Sequence, residues 1–290
     1  ARETALPAPD SALHGYVLGR YASVDDQPDI ANRYFSAALS GPARLDVARR
    51  GFDVALAAGD TQRATALARQ LTAAGAADSE VALVMLADAF NRRDWAAASR
   101  ARAGIASAGY AAVIEPIVGA WSMYAQNDRA GALAQLDPAG FSGFVRSYVA
   151  EQRAHMLATD GQFAAAAAAY GDLRAGSRSG FALLRLGEAD ALAMAGDRQG
   201  ALRRLDGDDP SLVAARQKLA NGRRIGALAP DARHGLGWAM ARLATDLSRE
   251  KPTDLALVFA RVATMLSPDA AANWLVLGDV LAGGDHNAAA

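Results

Sequence analysis

Cysteine is absent from the 290 residues, so the chain has neither a disulfide framework nor a Cys-ligated zinc site. A cysteine-free chain fits any compartment and leans only weakly toward an oxidising one. Lysine is nearly absent: Lys218 and Lys251 are two of 30 cations, and the rest are Arg. Neither charge dominates. The 30 Lys+Arg nearly cancel 31 Asp+Glu for a formal charge of −1, so the basic excess of a nucleic-acid binder is missing. No apolar run reaches the roughly 18 residues that read as a membrane-spanning helix. Alternating β-branched runs are poor, so little favours strands. The sequence opens at Ala1 without Met, on the polar, proline-bearing stretch Arg2 to Asp10. A mature or trimmed N-terminus would look so, with residues 1–10 as a flexible segment. With the missing cysteine, this slightly favours a periplasmic or secreted location over a cytoplasmic one and leaves the compartment otherwise unassigned.

What the chain has is alanine, 73 residues of it, and an internal repeat. Short Gly/Asn/Asp turns follow one apolar stretch and precede another at Gly59-Asp60, Arg93-Asp94, Asn127-Asp128, Asp160-Gly161 and Gly196-Asp197. The steps are close to 34 residues, and one step back from Asp60 falls at Asp26. Both flanks of each turn carry helical spacing. Leu13, Tyr16, Val17, Leu18 and Tyr21 precede the first turn; Ile30, Ala31, Tyr34, Phe35, Ala38 and Leu39 follow it. Pro28 suits a first helical turn, and Gly41-Pro42 stops the helix. Two helices of about a dozen residues, repeated near 34, predict an all-α helix-turn-helix solenoid.

The signature residues sharpen this. Trp274-x-x-Leu277-Gly278-x-x-Leu281 resembles the first helix of a tetratricopeptide repeat. Ala256, Ala260, Ala263 and Pro268 resemble that family's second helix and closing proline. Leu18-Gly19 with Ala31, Phe35 and Ala38 does the same in the first repeat, and Leu186-Gly187 recurs later. Ala64, Ala98, Ala132, Ala166 and Ala201 keep the small second-helix residue, and Tyr170 stands where Phe is usual. Small residues let a bulky neighbour approach closely. The arrangement resembles alphaproteobacterial tetratricopeptide-repeat proteins of unassigned activity. The resemblance implies a right-handed α-α superhelix of about seven repeats: six in residues 11–205, an irregular helix and crossover at 206–235, and a further repeat from 236 that begins yet another before residue 290. A helix over Ala270 to Ala282 would be a terminal cap, or else the natural chain continues past Ala290 with more repeats. An uncapped end would allow self-association.

Bond-making chemistry is hard to find. Gly140-Phe141-Ser142-Gly143 only approaches a nucleophile elbow and reads as a helix start. His14, His155, His234 and His286 are scattered, without a His-Glu-x-x-His pair, so no metal is expected. Asp206-Gly207-Asp208-Asp209 lacks the EF-hand ligand run. No phosphate-cradling or dinucleotide glycine motif occurs, so no cofactor is expected. Glu188 and Asp190, two apart on one helix, face different ways. Arg is interspersed with acids, as at Arg49, Arg50 and Asp53, so no cationic stripe for nucleic acid forms.

In the tetratricopeptide family, first helices line a concave groove that takes an extended peptide or a partner helix. Carried over repeat by repeat, the resemblance places Tyr16, Arg20, Arg49, Asp53, Trp121, Tyr124, Tyr148, Glu151 and His155 there. Leu83, Ala87, Phe90, Ile117, Leu184, Glu188 and Trp238 continue the row, with Phe90 and Trp238 better suited to the core and inter-helix packing an equal alternative for Trp121, Tyr124 and Tyr148. Trp, Tyr and Arg are the residues that most often carry interface energy. The family's carboxylate clamp for chaperone C-termini needs Lys in set places, which this chain lacks. The expectation is a non-enzymatic protein-protein interaction scaffold. A bacterial cell-envelope assembly or secretion accessory factor is the alternative, and a helical-repeat enzyme is the less favoured one.

Overall fold

The helical periodicity is realised in a computed structural model that describes residue 9 and residues 11–38, 45–176, 182–249 and 254–283. Among these residues there are sixteen α-helices, one 3-10 turn at Pro138–Gly140, and no strand. The fold is all-α. The stop at Gly41-Pro42, the turn at Gly284-Asp285, the segment before residue 9 and anything past Gly283 lie outside the described residues.

Twelve helices form six hairpins: α1 (Ala12–Val24) with α2 (Pro28–Ala38), α3 (Leu45–Ala58) with α4 (Thr61–Ala73), α5 (Ser79–Arg92) with α6 (Trp95–Ile105), α7 (Ala111–Ala125) with α8 (Arg129–Gln135), α9 (Gly143–Thr159) with α10 (Phe163–Gly176), and α11 (Ala182–Met194) with α12 (Arg198–Arg204). Each turn contains one residue of positive φ: Asp26, Gly59, Arg93, Asn127, Gly161 and Gly196. Their steps are 33, 34, 34, 34 and 35 residues. A left-handed residue ends a helix by folding the chain back over its last carbonyls. At four of these turns the next residue is an Asp that caps the following helix. Asp60, Asp94, Asp128 and Asp197 accept from the backbone N–H groups of Arg63, Ala97, Gly131 and Gly200.

Two compact units result. The first holds residues 1–108 and 240–290, the second residues 109–239. In the first, α1 through α6 each pack on the next. Ala64 and Ala98 on the second helices are 0% and 2% exposed. Beyond the hairpins come α13 (Pro210–Ala220), α14 (Ala232–Ser248), α15 (Asp254–Leu266) and α16 (Ala271–Gly283). Sequence spacing reads residues from 236 onward as one more repeat. In the structure, α15 pairs with α16 and seats on α5 and α3. Asn91 Nδ2 donates to the Met265 carbonyl and Arg261 Nη2 to the Ala57 carbonyl, across 174 and 204 residues of sequence. The composition of α15 explains this. Ten of its thirteen residues are buried, eight of them apolar, and a helix with so wide an apolar surface needs cover from more than one neighbour.

In the second unit, α9, α10, α11 and α12 pack in order, α7 lies on α8 and α9, and α13 lies on α11. After α13 the backbone runs without helix to residue 231. This crossover is pinned to first helices: the Ala227 N–H donates to Asp190 Oδ2 at 2.6 Å, and Thr159 Oγ1 donates to the Ala229 carbonyl at 3.0 Å.

Small residues do the work the spacing predicts. A Cβ on Gly19 would lie 3.0–3.1 Å from three atoms of the Phe35 ring, and one on Gly187 would lie 2.9 Å from Tyr170 Cζ. A Cβ on Gly278 would meet nothing within 4 Å. Gly19→Ala is therefore expected to lower stability by about 1–3 kcal/mol through overpacking. Gly278→Ala, inside α16, is expected to raise it by roughly 0.5–1 kcal/mol through helix propensity. Urea unfolding of the two variants checks the opposite signs.

Candidate functional site

The row of first-helix residues divides by burial. In the second unit Trp121, Glu151 and His155 are interior, while Tyr124 and Tyr148 are half-buried. Trp121 is 0% exposed and donates from Nε1 to Gln152 Oε1 at 2.9 Å. Its ring lies against the backbone of Gly235, where an added Cβ would sit 2.2 Å from Cζ2. Tyr124 is half-buried at the Trp121 edge, 5.6 Å between ring centroids, with the Arg129 guanidinium over its other side. Tyr148 is half-buried. Glu151 and His155 are buried, with His155 Nε2 3.8 Å from Glu151 Oε1. The Trp238 ring meets His155 edge-on at 4.9 Å. The chain's own Gly235 and Trp238 thus lie on Trp121 and His155, positions that the resemblance assigns to a partner.

Beneath this cover lies a polar network. Tyr170 Oη and His155 Nδ1 are 2.6 Å apart. Burial, reinforced by the charges of Glu151 and Asp190, holds the Tyr170 pKa well above its ordinary value, so the phenol stays neutral. Glu188, also buried, accepts from Arg174 Nε at 2.9 Å and Arg204 Nε at 2.6 Å. Asp190 spends its Oδ2 on the crossover. The two acids thus have separate partners, and neither faces the other as an acid/base pair. Ser142 precedes α9 as its N-cap residue.

In the first unit, Tyr16 packs edge-on to Phe35 at 5.8 Å and Arg20 is exposed. Arg49 and Asp53 come together on α3, Nε to Oδ1 at 3.1 Å. Arg49 also binds Glu80 at 2.5 Å and Asp78, the residue that caps α5. Burial works against its charge, but these carboxylates outweigh burial and raise its pKa. The pair opens into a cleft of about 410 Å³, with Arg50 and Glu80 beside it and Leu257 and Val258 of α15 as its apolar wall. Burial dominates at Asp53 and pushes its pKa up to about 6 despite Arg49.

A second, larger cleft of about 610 Å³ lies in the same unit, lined by Thr61, Gln62, Thr65, Asn91, Arg261 and Trp274 among others. Of these, Arg261 and Gln62 lie off the first helices and escape a reading based on them. The signal was there: Arg261 is a lone charge within the apolar run from Leu257 to Ala263. Among the described residues, no group of three His, Cys, Asp or Glu is placed to hold a metal ion, and no helix is long and apolar enough to cross a membrane. No protein-family model matches the chain, and a search of curated proteins returns no match.

Two outcomes follow from this geometry. Tyr170→Phe leaves His155 buried without its Nδ1 partner and is expected to cost about 1–3 kcal/mol, read from the urea midpoint. For Asp53, the folded-state pKa lies above the usual value near 3.9, so the folded chain holds the proton more tightly. Its contribution is therefore greatest at low pH and is lost as pH rises from about 4 through about 6. Relative to Asp53→Asn, the wild type is expected to lose stability across that window, measured by urea midpoints at intervals of one pH unit.

Proposed function

We propose that the hairpins are tetratricopeptide-like repeats with that family's right-handed stacking. On this reading the chain is a non-enzymatic interaction scaffold that holds an extended peptide or partner helix in its first unit. The observation that carries it is the pair of open clefts beside α3, α4, α5 and α15, built on hairpins whose left-handed turn residue recurs every 33–35 residues. Their linings offer amides, hydroxyls, guanidiniums, carboxylates and an indole, groups that a peptide or a partner helix can engage. Rigid helices carry them, so little ordering is lost on this side when a partner binds. In the second unit Trp121, Glu151 and His155 then serve as the core that positions the crossover, and the contact surface shifts to Arg49, Arg50 and Asp53 and to the neighbouring larger cleft.

Photo-crosslinking tests this. A benzophenone amino acid is placed at Gln62, in the larger cleft, or at Arg203, an exposed position on α12. Exposed to an extract of the source cells, the Gln62 derivative is expected to yield an adduct of discrete mass that the Arg203 derivative does not. Identical adducts from both positions, or none from Gln62, would overturn the reading.

A further inference from the structure

Arg261 is the one arginine among the described residues that is buried; Arg50 and Arg63 also leave Nε without a partner but are half-buried. It is 6% exposed and lines the larger cleft of the first unit. A guanidinium carries five N–H donors. Among the described residues one hydrogen bond serves them, from Nη2 to the Ala57 carbonyl at 2.7 Å, and buried Nε has no partner. No carboxylate among those residues lies within ion-pairing distance; Asp29 acts on it only from farther away. Burial lowers its pKa, in keeping with a cation held without a counter-ion. Gly59 leaves it room: a Cβ there would lie 2.8 Å from Nη1. Arg49, in the same unit, shows the usual arrangement, three carboxylates around one guanidinium. Buried charges are ordinarily paired, and leaving one unpaired is costly.

We propose that this cleft binds a peptide through a carboxylate, with Arg261 as its anchor. The proposal rests on the scaffold reading above and names the chemistry of its ligand. Several features favour a carboxylate on a peptide over a phosphate. Of the two guanidiniums in the lining, Arg69 is paired with Asp88 and Arg261 has no ion pair, and the fork of Arg261 suits a planar carboxylate. Asp88, also in the lining, is held by Arg69 at 2.8 Å and Arg92 at 2.9 Å, so Arg261 is the charge of the cleft left for a ligand. Thr61, Thr65, Gln62 and Asn91 offer the donors and acceptors that peptide bonds use. Trp274 is half exposed, its indole fixed by donation from Nε1 to the Pro268 carbonyl at 2.8 Å, and gives an apolar side chain a face to rest on.

Titration calorimetry on the whole chain tests it with three probes at matched ionic strength: N-acetylated Ala-Leu-Ala with a free carboxylate, the same peptide as its C-terminal amide, and inorganic phosphate. The acid is expected to bind at least about tenfold more tightly than the amide, the scale of a hydrogen bond to a charged group. Arg261→Met removes an unpaired buried charge. It is expected to melt no lower than wild type and to bind acid and amide alike. Gln62→Glu, at an exposed position in the cleft wall, is expected to weaken the acid and spare the amide; it decides the matter if Arg261→Met does not fold. Equal binding of acid and amide to wild type overturns the carboxylate site and leaves the scaffold reading standing. An acid preference that survives both substitutions, tighter binding of phosphate than of the acid, or no binding of the acid overturns it as well. Failure of the scaffold reading itself is seen separately, in the cross-linking.

Discussion

A helix hairpin closes only where one residue accepts a left-handed backbone and the next helix finds a partner for its first N–H groups. This chain meets that double requirement at steps of 33–35 residues, with glycine, asparagine, aspartate and even Arg93 in the left-handed position. The rest of the structure depends on it. Constant spacing keeps the same helix faces turned toward each other, so alanines such as Ala64, Ala98, Ala132, Ala166 and Ala201 all fall at closely packed points. Gly19 and Gly187 can then take an aromatic ring against the helix itself. Without that regularity, α3 and α5 would not present Arg49, Asp53 and Asp88 to shared clefts.

The hairpins were legible because their causes are local: a turn residue, a capping Asp and apolar residues at helical spacing. Burial is not local. Trp121 and His155 occupy first-helix positions, as the sequence implies, yet whether such a position faces solvent depends on Gly235 and Trp238, more than 80 positions further on. The extended crossover was legible as a break in spacing, but its destination was not. Hydrogen bonds from the Ala227 N–H to Asp190 and from Thr159 to the Ala229 carbonyl tie it to first helices, and Lys218 holds the Ile225 carbonyl. Trp274 and Leu277-Gly278 look like the opening of a repeat. In the structure, open space surrounds Gly278, and α16 packs on α15. Residue identity alone cannot distinguish a glycine kept for a close neighbour from one with none.

Charge follows the same division between local and distant causes. Arg49 takes its partners from its own helix and from the start of α5, tying the helix it sits on to the next hairpin. Arg261 has apolar neighbours in sequence and reaches only a carbonyl at the end of α3. One cation is spent on architecture and the other is left over. In a chain whose acids and bases are nearly equal in number, such local imbalance is where recognition can begin.

The first unit is assembled from two stretches of sequence that bracket the whole of the second. A ribosome adding roughly 5–20 residues per second therefore makes α3 and α5 well before α15 exists. The 161 residues between the end of α5 and the start of α15 take roughly 8–32 s to emerge at that pace. Throughout that interval the apolar surface destined for α15 has no cover from its own chain. Contacts spanning 174 and 204 residues also carry the loop-closure penalty that slows folding. The nascent protein passes through a stage in which its early hairpins are formed but their seat for α15 is vacant, and a chaperone or a premature partner has its widest access at that stage.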